Sequence, residues 1–528
     1  MRLCKVLLVY HTIRHLKYKQ IFFRVWYFLR NRISPPIYKP LKLKDNAGSV
    51  SSPLVLSPKK SCLYLGDNCF KFLNIKHCFD DEIDWNFEKY GKLWTYNLNY
   101  FEFVNQYNLN ERKCRALVKN FTKSLKSDYI GLEAYPISLR GINLIKFFIE
   151  NKISDILLLE SLYGQYNLLR KKIEFHLLGN HLLENGLSLL AGGVYFNDEK
   201  LVEKAKIILK NEFDEQILKD GAHFERSPMY HKLILERILD VVNIINSCSY
   251  YSGINEIFEL LCHKAGLMLG WLEKITFVVG AVPNFNDSTE GIALNTRELV
   301  FYASELKIKP ITVDLSESGL RRFIKSKYDC IIDAGDIGPD YQPGHAHSDT
   351  FSFVLYINNI PVIVDTGVST YEKSKRRLEE RRTSAHNTFK LKDIEQTEVW
   401  SSFRVGRRAY CTIHDETDNS LYASHSGYKF KGLDAKRYFL FKKNELVIKD
   451  NLNNVDAEGY LHFHPDININ ISGSKIESTF FDVLLENHET IKTSSYEFAE
   501  GFNKTKEAPM VSVGFKGSMV YRIIIKND

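Results

Sequence analysis

Helices come first in this chain and antiparallel strands after, and two features of the 528-residue sequence carry that reading. From about residue 100 to 275 apolar residues recur at spacings of three and four, with Pro and Gly scarce, the period of an amphipathic helix. From about 325 the pattern changes to short alternating or apolar runs rich in β-branched and aromatic residues, the signature of strands. The expected architecture is therefore multidomain, a helical part of residues 61–320 followed by an antiparallel β-sandwich of residues 321–528. Residues 1–60 form a separate N-terminal piece.

In chain order, Met1 to Lys5 and the apolar VLLVYHTI lead into HLKYKQIFFRVWYFLRNR, aromatic and basic together. This reads as an amphipathic helix suited to peripheral contact with an anionic membrane surface, or as a helix packed on the rest of the protein. The apolar patch is short for a signal-peptide core, and no small-residue cleavage site follows it. Residues 34–60, rich in Pro, Ser and Lys, read as an extended linker or wrapping arm. Helices are expected at 109–126, 137–152, 154–176, 181–194, 198–218, 228–247 and 253–273, joined by short turns and hence antiparallel neighbours. Strands are expected at 328–333, 407–413, 436–449 and 518–526. A hairpin over Phe351–Val364 turns at Asn358-Asn359.

Bulk composition excludes several classes. No stretch approaches 18 consecutive apolar residues, so no membrane span is expected. The net charge of +7, from 71 basic and 64 acidic residues, is scattered without a Lys/Arg tract, so nucleic acid is not indicated. That charge tolerates an anionic partner without demanding one. Aromatics at 13% suit sugar-binding clefts and also the packing of a large core. Nine cysteines without a CxxC pair argue against a complete disulfide framework. Cys62, Cys69 and Cys78 come nearest to a cluster.

The densest polar chemistry lies in GHAHSD (344–349), Asp365 and SAHN (384–387). If His345 and His347 lie on a strand, i and i+2 share a face. With Asp365 and His386 from neighbouring segments they make either a zinc site or an acid/base site. Two more clusters lie in the helical part. GNHLLEN (179–185) sets Asn180, His181 and Glu184 at one helix start, more polar groups than a cap needs. DGAHFERSPMYH (220–231) marks a helix start at Ser227-Pro228 and puts Tyr230 and His231 in the first turn. The plain alternative is that Glu225 and Arg226 form an ion pair and Tyr230 is core.

Taken in order, GNHLLEN, DGAHFERSPMYH, NFNDST, GHAHSDTFSF, VDTG and SAHNT resemble the heparinase II/III-like polysaccharide lyases. The likeness runs from about Leu93 (LWTYNLNYFEF) onward and includes YPISLRGIN at 135–143. It implies an incomplete (α/α) toroid followed by an antiparallel β-sandwich, with the cleft between them. It implies that Asn180 and His181 meet a substrate carboxylate, that Tyr230 and His345 are the catalytic pair, and that Glu184 is an acidic cleft residue. Arg226 and His231, beside Tyr230, join Glu184 as expected substrate-binding residues. His347, Asp365 and His386 match the ligands of a structural zinc; no organic cofactor is implied. The reaction class is β-elimination on a uronate-containing, anionic polysaccharide. A uronate C5-epimerase or a non-catalytic glycan-binding protein linked to surface polysaccharide biosynthesis are the alternatives. The resemblance places the protein in the cell envelope or periplasm; the lack of a clear signal peptide makes the cytoplasm the alternative.

Overall fold

The apolar spacing of the first half becomes helices at Glu111–Ser124, Ala134–Glu150, Ile156–Lys172, Gly179–Tyr195, Glu199–Gln216, Pro228–Ser247 and Asn255–Ile275, each close to its predicted span. The computed structural model describes residues 2–59, 63–126, 129–248 and 253–526. It adds helices at Lys92–Tyr100 and Thr296–Glu305 that periodicity did not single out. Gly179–Tyr195 sits at the centre. Every residue of it is buried except His181, as expected of a helix apolar on all sides. It packs against Ala134–Glu150, Glu199–Gln216 and Pro228–Ser247. Residues 34–59 run extended across these helices: Leu41 N donates to Glu160 O, Gly48 N to Tyr195 O, and Asn243 bonds both the N–H and the carbonyl of Val55.

The second half sets two main sheets face to face, beside a short two-stranded one of Val399–Trp400 and Arg404–Val405. The smaller takes the order Leu320–Ile324, Tyr328–Asp333, Phe353–Ile357, Ile360–Ile363, all antiparallel. The larger runs Cys411–Thr417, Ser420–His425, Ala435–Lys442, Glu445–His462, Lys504–Ile525, Phe481–Gly501, Lys475–Glu477, Asn470–Ser472, with Phe389–Leu391 added beside Glu445–His462. The expected strand over 436–449 is thus two strands, broken at Lys443-Asn444, and the one expected at 407–413 begins only at Cys411. Asn358 and Asn359 do make the hairpin turn, both with positive φ (49° and 65°).

Period-two alternation explains why the small sheet reads as nearly continuous apolar sequence. Cys330, Ile332, Phe353 and Leu355 face the large sheet, while Ile331, Val354 and Tyr356 face the helices. It is therefore a middle layer with both faces covered. Phe323 stacks on Phe441 of the large sheet at 4.0 Å, and Tyr356 stacks on Phe277 of the helical part at 4.0 Å. Each such buried aromatic contributes about 1.5–3 kcal/mol, so the small sheet joins the two halves by packing one face into the core of each.

Among the described residues the cysteines form one disulfide, with Cys114, Cys248, Cys262, Cys330 and Cys411 free. Cys69 and Cys78 are paired across a hairpin (Cys69–Phe72 with Ile75–Cys78) and joined by a disulfide. Cys62 lies outside the described residues. Among the described residues no helix is long and apolar enough to cross a membrane.

Candidate active site

Ser227 caps the helix Pro228–Ser247 as its sequence predicts, its Oγ accepting from Tyr230 N at 3.2 Å. The same hydroxyl donates to the carbonyl of Asp287 at 2.7 Å, tying this helix start to the NFND loop. That loop is bonded in turn to the GHAHSD segment. Asp287 N donates to His345 O (3.0 Å), His347 N to Asn286 Oδ1 (3.0 Å), and Asn286 N to Asp349 Oδ2 (3.2 Å). His345 and His347 lie in this irregular loop and not in a strand, correcting the expectation. They still converge, because one carboxylate gathers them.

That carboxylate is Asp287. Its Oδ2 takes His345 Nδ1 and its Oδ1 takes His347 Nε2, both at 2.8 Å. Arg377, from the helix Lys375–Arg381, clamps both oxygens. Burial works to raise the acid's pKa, but Arg377 and the two imidazoles outweigh it and hold Asp287 well below the carboxylate range. With Nδ1 bound to a fixed anion, His345 presents Nε2 to the cleft, 4.0 Å from Glu225 Oε2. The Tyr230 ring lies against the His345 ring with centroids 3.9 Å apart. Tyr371 donates its hydroxyl to Tyr230 Oη at 3.2 Å. Burial, with the neighbouring Tyr371 and Asp287, pushes the Tyr230 phenol well above 10, so it is a proton donor at neutral pH.

Asn180 and His181 enter from the start of the central helix. The backbone approaches that helix through Leu178 at φ 63°, ψ −154°, and Gly179 at φ 59°. A non-glycine residue held at positive φ costs on the order of 1–3 kcal/mol and persists only where packing enforces it. Asn180 is buried, and its Oδ1 has no hydrogen-bond partner among the described residues. Glu225 Oε1 accepts from its backbone N–H at 3.4 Å, so Glu225 bridges Asn180 and His345. His181 bonds Glu174 at 3.0 Å and lies against Tyr135 at 4.4 Å. Tyr96, Tyr100 and Tyr135 continue this aromatic wall, with centroids 6.0–6.5 Å apart. Glu184, one turn further in, is buried with Oε2 unpartnered. Burial, only partly opposed by Arg237, pushes its pKa up to about 8.

Two expected substrate contacts are not brought here. His231 is fully buried: Nδ1 accepts from His223 N (3.2 Å), Nε2 donates to Met268 O (2.9 Å), and the ring lies against Trp271. Consecutive helical residues point about 100° apart, so Tyr230 facing the cleft turns His231 into the core. Arg226 spends its guanidinium on the carbonyls of Asp336 and Glu317, joining the two halves. It makes no ion pair with Glu225, whose carboxylate faces Asn180 and His345 instead.

Of the expected metal ligands, His386 Nδ1 bonds Asp365 Oδ2 at 2.8 Å, and its ring lies 5.3 Å from that of His347. His347 Nδ1 and His386 Nε2 are buried without partners among the described residues. Among the described residues no three His, Cys, Asp or Glu side chains are arranged as a ready metal cage. Buried imidazole nitrogens without partners among the described residues are donors of the type that zinc takes.

Known proteins resemble this chain along most of its length. Residues 66–302 match the family described as Heparinase II/III N-terminus, and residues 308–514 match Heparinase II/III-like, C-terminal. A heparin-sulfate lyase of Bacteroides stercoris is 25% identical over 251 residues, 42% of this chain and 37% of that protein, so the alignment spans little over a third of the relative. A heparinase III structure superposes with a TM-score of 0.63 at 14% identity, covering 85% of this chain and 80% of its own. A heparan sulfate lyase of Pedobacter heparinus gives 0.57 at 15%, covering 88% and 82%. At these identities the structural likeness is one of fold, an incomplete (α/α) toroid followed by an antiparallel β-sandwich.

Proposed function

The chain belongs to the heparinase II/III-like family, and from that premise we propose that it is a polysaccharide lyase cleaving a uronate-containing glycan by β-elimination. The observation that carries this reading is the Tyr230–His345 pair, a protonated phenol against an imidazole whose other nitrogen is fixed by Asp287.

The reaction removes the C5 proton beside the uronate carboxylate. The electrons of that C–H bond form the C4–C5 double bond, and the C4–O4 bond breaks with its electrons going to oxygen. His345 Nε2 takes the C5 proton, and Asp287 stabilises the imidazolium that results, as a buried carboxylate does for a catalytic histidine. Tyr230 protonates the departing O4. The C5 proton becomes acidic enough only when the carboxylate charge is stabilised as it spreads. The amide of Asn180 and the imidazole of His181 are suited to that. His181 has the charge for it: burial opposes protonation, but Glu174, to which it is hydrogen-bonded, outweighs it and raises its pKa.

A structural zinc belongs to the same proposal. His347 and His386 would hold it through their unpartnered nitrogens, with Asp365 alongside. When bound, it would fix the geometry of the loop behind His345 and take no part in proton transfer. The deciding experiment is incubation with a panel of uronate polymers. A new ultraviolet chromophore from the unsaturated product supports the lyase. Deuterium uptake at C5 without that chromophore would make the protein an epimerase.

A further inference from the structure

The first 44 residues hold eleven Lys and Arg and no Asp or Glu, whereas the rest of the chain has more acidic than basic residues. They form two helices, Arg2–Ile13 and Tyr18–Ile33. Each has a side fixed to the body. Trp400 Nε1 donates to Thr12 Oγ1, and Arg408 donates to the carbonyl of His11, both at 3.1 Å. In the second helix, Gln20 is fully buried and donates to the carbonyls of Leu177 (3.1 Å) and Tyr341 (3.3 Å). Phe23 stacks on Phe175 at 4.7 Å.

The outward side is apolar. Val6, Tyr10 and Ile13, and again Phe22, Trp26 and Leu29, recur at spacings of four and three and are 48–64% exposed. Such a stripe is what a helix normally turns inward, and here the inward side is already occupied.

We propose that this face docks on an anionic lipid surface, with the rings in the headgroup boundary and the basic residues on lipid phosphates. Three observations favour lipid over other occupants. The helices are 12 and 16 residues long, too short to span a bilayer and well suited to lying on one. A second copy of the chain would bring the exposed Arg14, Lys19, Arg24 and Arg32 of these helices against their like, which is repulsive. A soluble polyanion would use the charges and leave the aromatic stripe in water. The docking also places the cleft. Leu177 lies three residues before Asn180 and Tyr341 four before His345, so the helix that meets the lipid is bonded to both segments that deliver the site.

Full-length protein is mixed with phosphatidylcholine vesicles, with and without phosphatidylglycerol. Cosedimentation with the anionic vesicles only, weakened by salt, is expected. So is a blue shift of tryptophan emission that Trp26→Phe removes in a Trp400→Phe background, since Trp85, Trp94 and Trp271 are buried while Trp400 is half-buried and bonded to Thr12 of the first helix. The triple variant Phe22→Ser, Trp26→Ser, Leu29→Ser should lose on the order of tenfold or more in binding at unchanged melting temperature. Should it fail to fold, Arg14→Glu with Arg32→Glu, both exposed, must abolish the preference for anionic vesicles. The proposal is overturned by absence of binding to anionic vesicles or by equal binding to neutral ones. It is equally overturned by a lipid-independent dimer in light scattering that the triple variant dissolves.

Discussion

Asp287 and Arg377 face one another as a two-pronged ion pair with no exposure to solvent, Nη1 to Oδ1 at 2.5 Å and Nη2 to Oδ2 at 2.7 Å. The carboxylate that Arg377 clamps is also the one that orients His345 and His347. Removing one member of a buried pair strands the other charge. Arg377→Ala is therefore expected to destabilise the protein by about 3–5 kcal/mol. Lysine should not rescue it, because a point charge cannot reproduce the planar fork. Urea unfolding measures this, and a loss under about 1 kcal/mol would mean the pair is far more solvated than its geometry shows. Asp287→Asn keeps the shape but removes the counter-charge, and should lower turnover with little change in KM.

Tyr230→Phe and His345→Ala should each reduce turnover by on the order of 10²–10⁴ while leaving the unfolding midpoint near that of the parent. Steady-state rates on the responsive uronate polymer decide it. Near-full activity in either variant would remove that residue from the proton-transfer steps.

How far the sequence discloses this site depends on locality. Helix spans and the Ser227 cap follow from signals within one turn, and they are found where expected. The middle sheet is legible as strands because a layer covered on both faces must be apolar throughout. Asp287 escapes notice as a centre of the site because its partners lie 58, 60 and 90 residues away. No local pattern announces that NFND will meet GHAHSD and Arg377. His345 and His347 are placed on a strand by their i, i+2 spacing alone, although the loop Gly344–Asp349 lies just outside the hairpin. His231 fails for the opposite reason: adjacency to Tyr230 suggests a shared role, and helical geometry turns neighbours apart.

Asn180→Ala should lower turnover more than it raises KM. Its amide nitrogen is the donor suited to a substrate carboxylate, and such a hydrogen bond strengthens as charge develops toward the enolate. A pure rise in KM with turnover intact would make Asn180 an ordinary ground-state contact. Separate kcat and KM values on a defined oligosaccharide read this directly.

Elemental analysis of protein purified without chelator should find about one zinc per chain, the count for a single site built on His347, Asp365 and His386. Stripping it should lower the melting temperature first and activity second, since the orphaned nitrogens of His347 and His386 lie behind the loop that carries His345. Absence of metal together with an unchanged melting temperature in chelator would leave these residues as a hydrogen-bonded cluster.

Glu184 gives a pH dependence with a definite sign. Its carboxyl titrates near 4.5 when unperturbed and is pushed up to about 8 in the fold by burial, against the pull of Arg237. Between those values the folded protein keeps a proton that the unfolded chain has lost. Stability must therefore fall as pH rises through this window, at up to ~1.4 kcal/mol per pH unit. Below the window both states are protonated and above it both are ionised, so the penalty is level outside it. Glu184→Gln retains the neutral shape and cannot ionise. The variant should match the parent near the acid end and become progressively more stable than it toward pH 8, by a few kcal/mol in total. Urea unfolding of both proteins at unit steps of pH measures the divergence. Parallel stability curves would show that Glu184 is ionised in the fold, held so by Arg237, and that burial does not govern it.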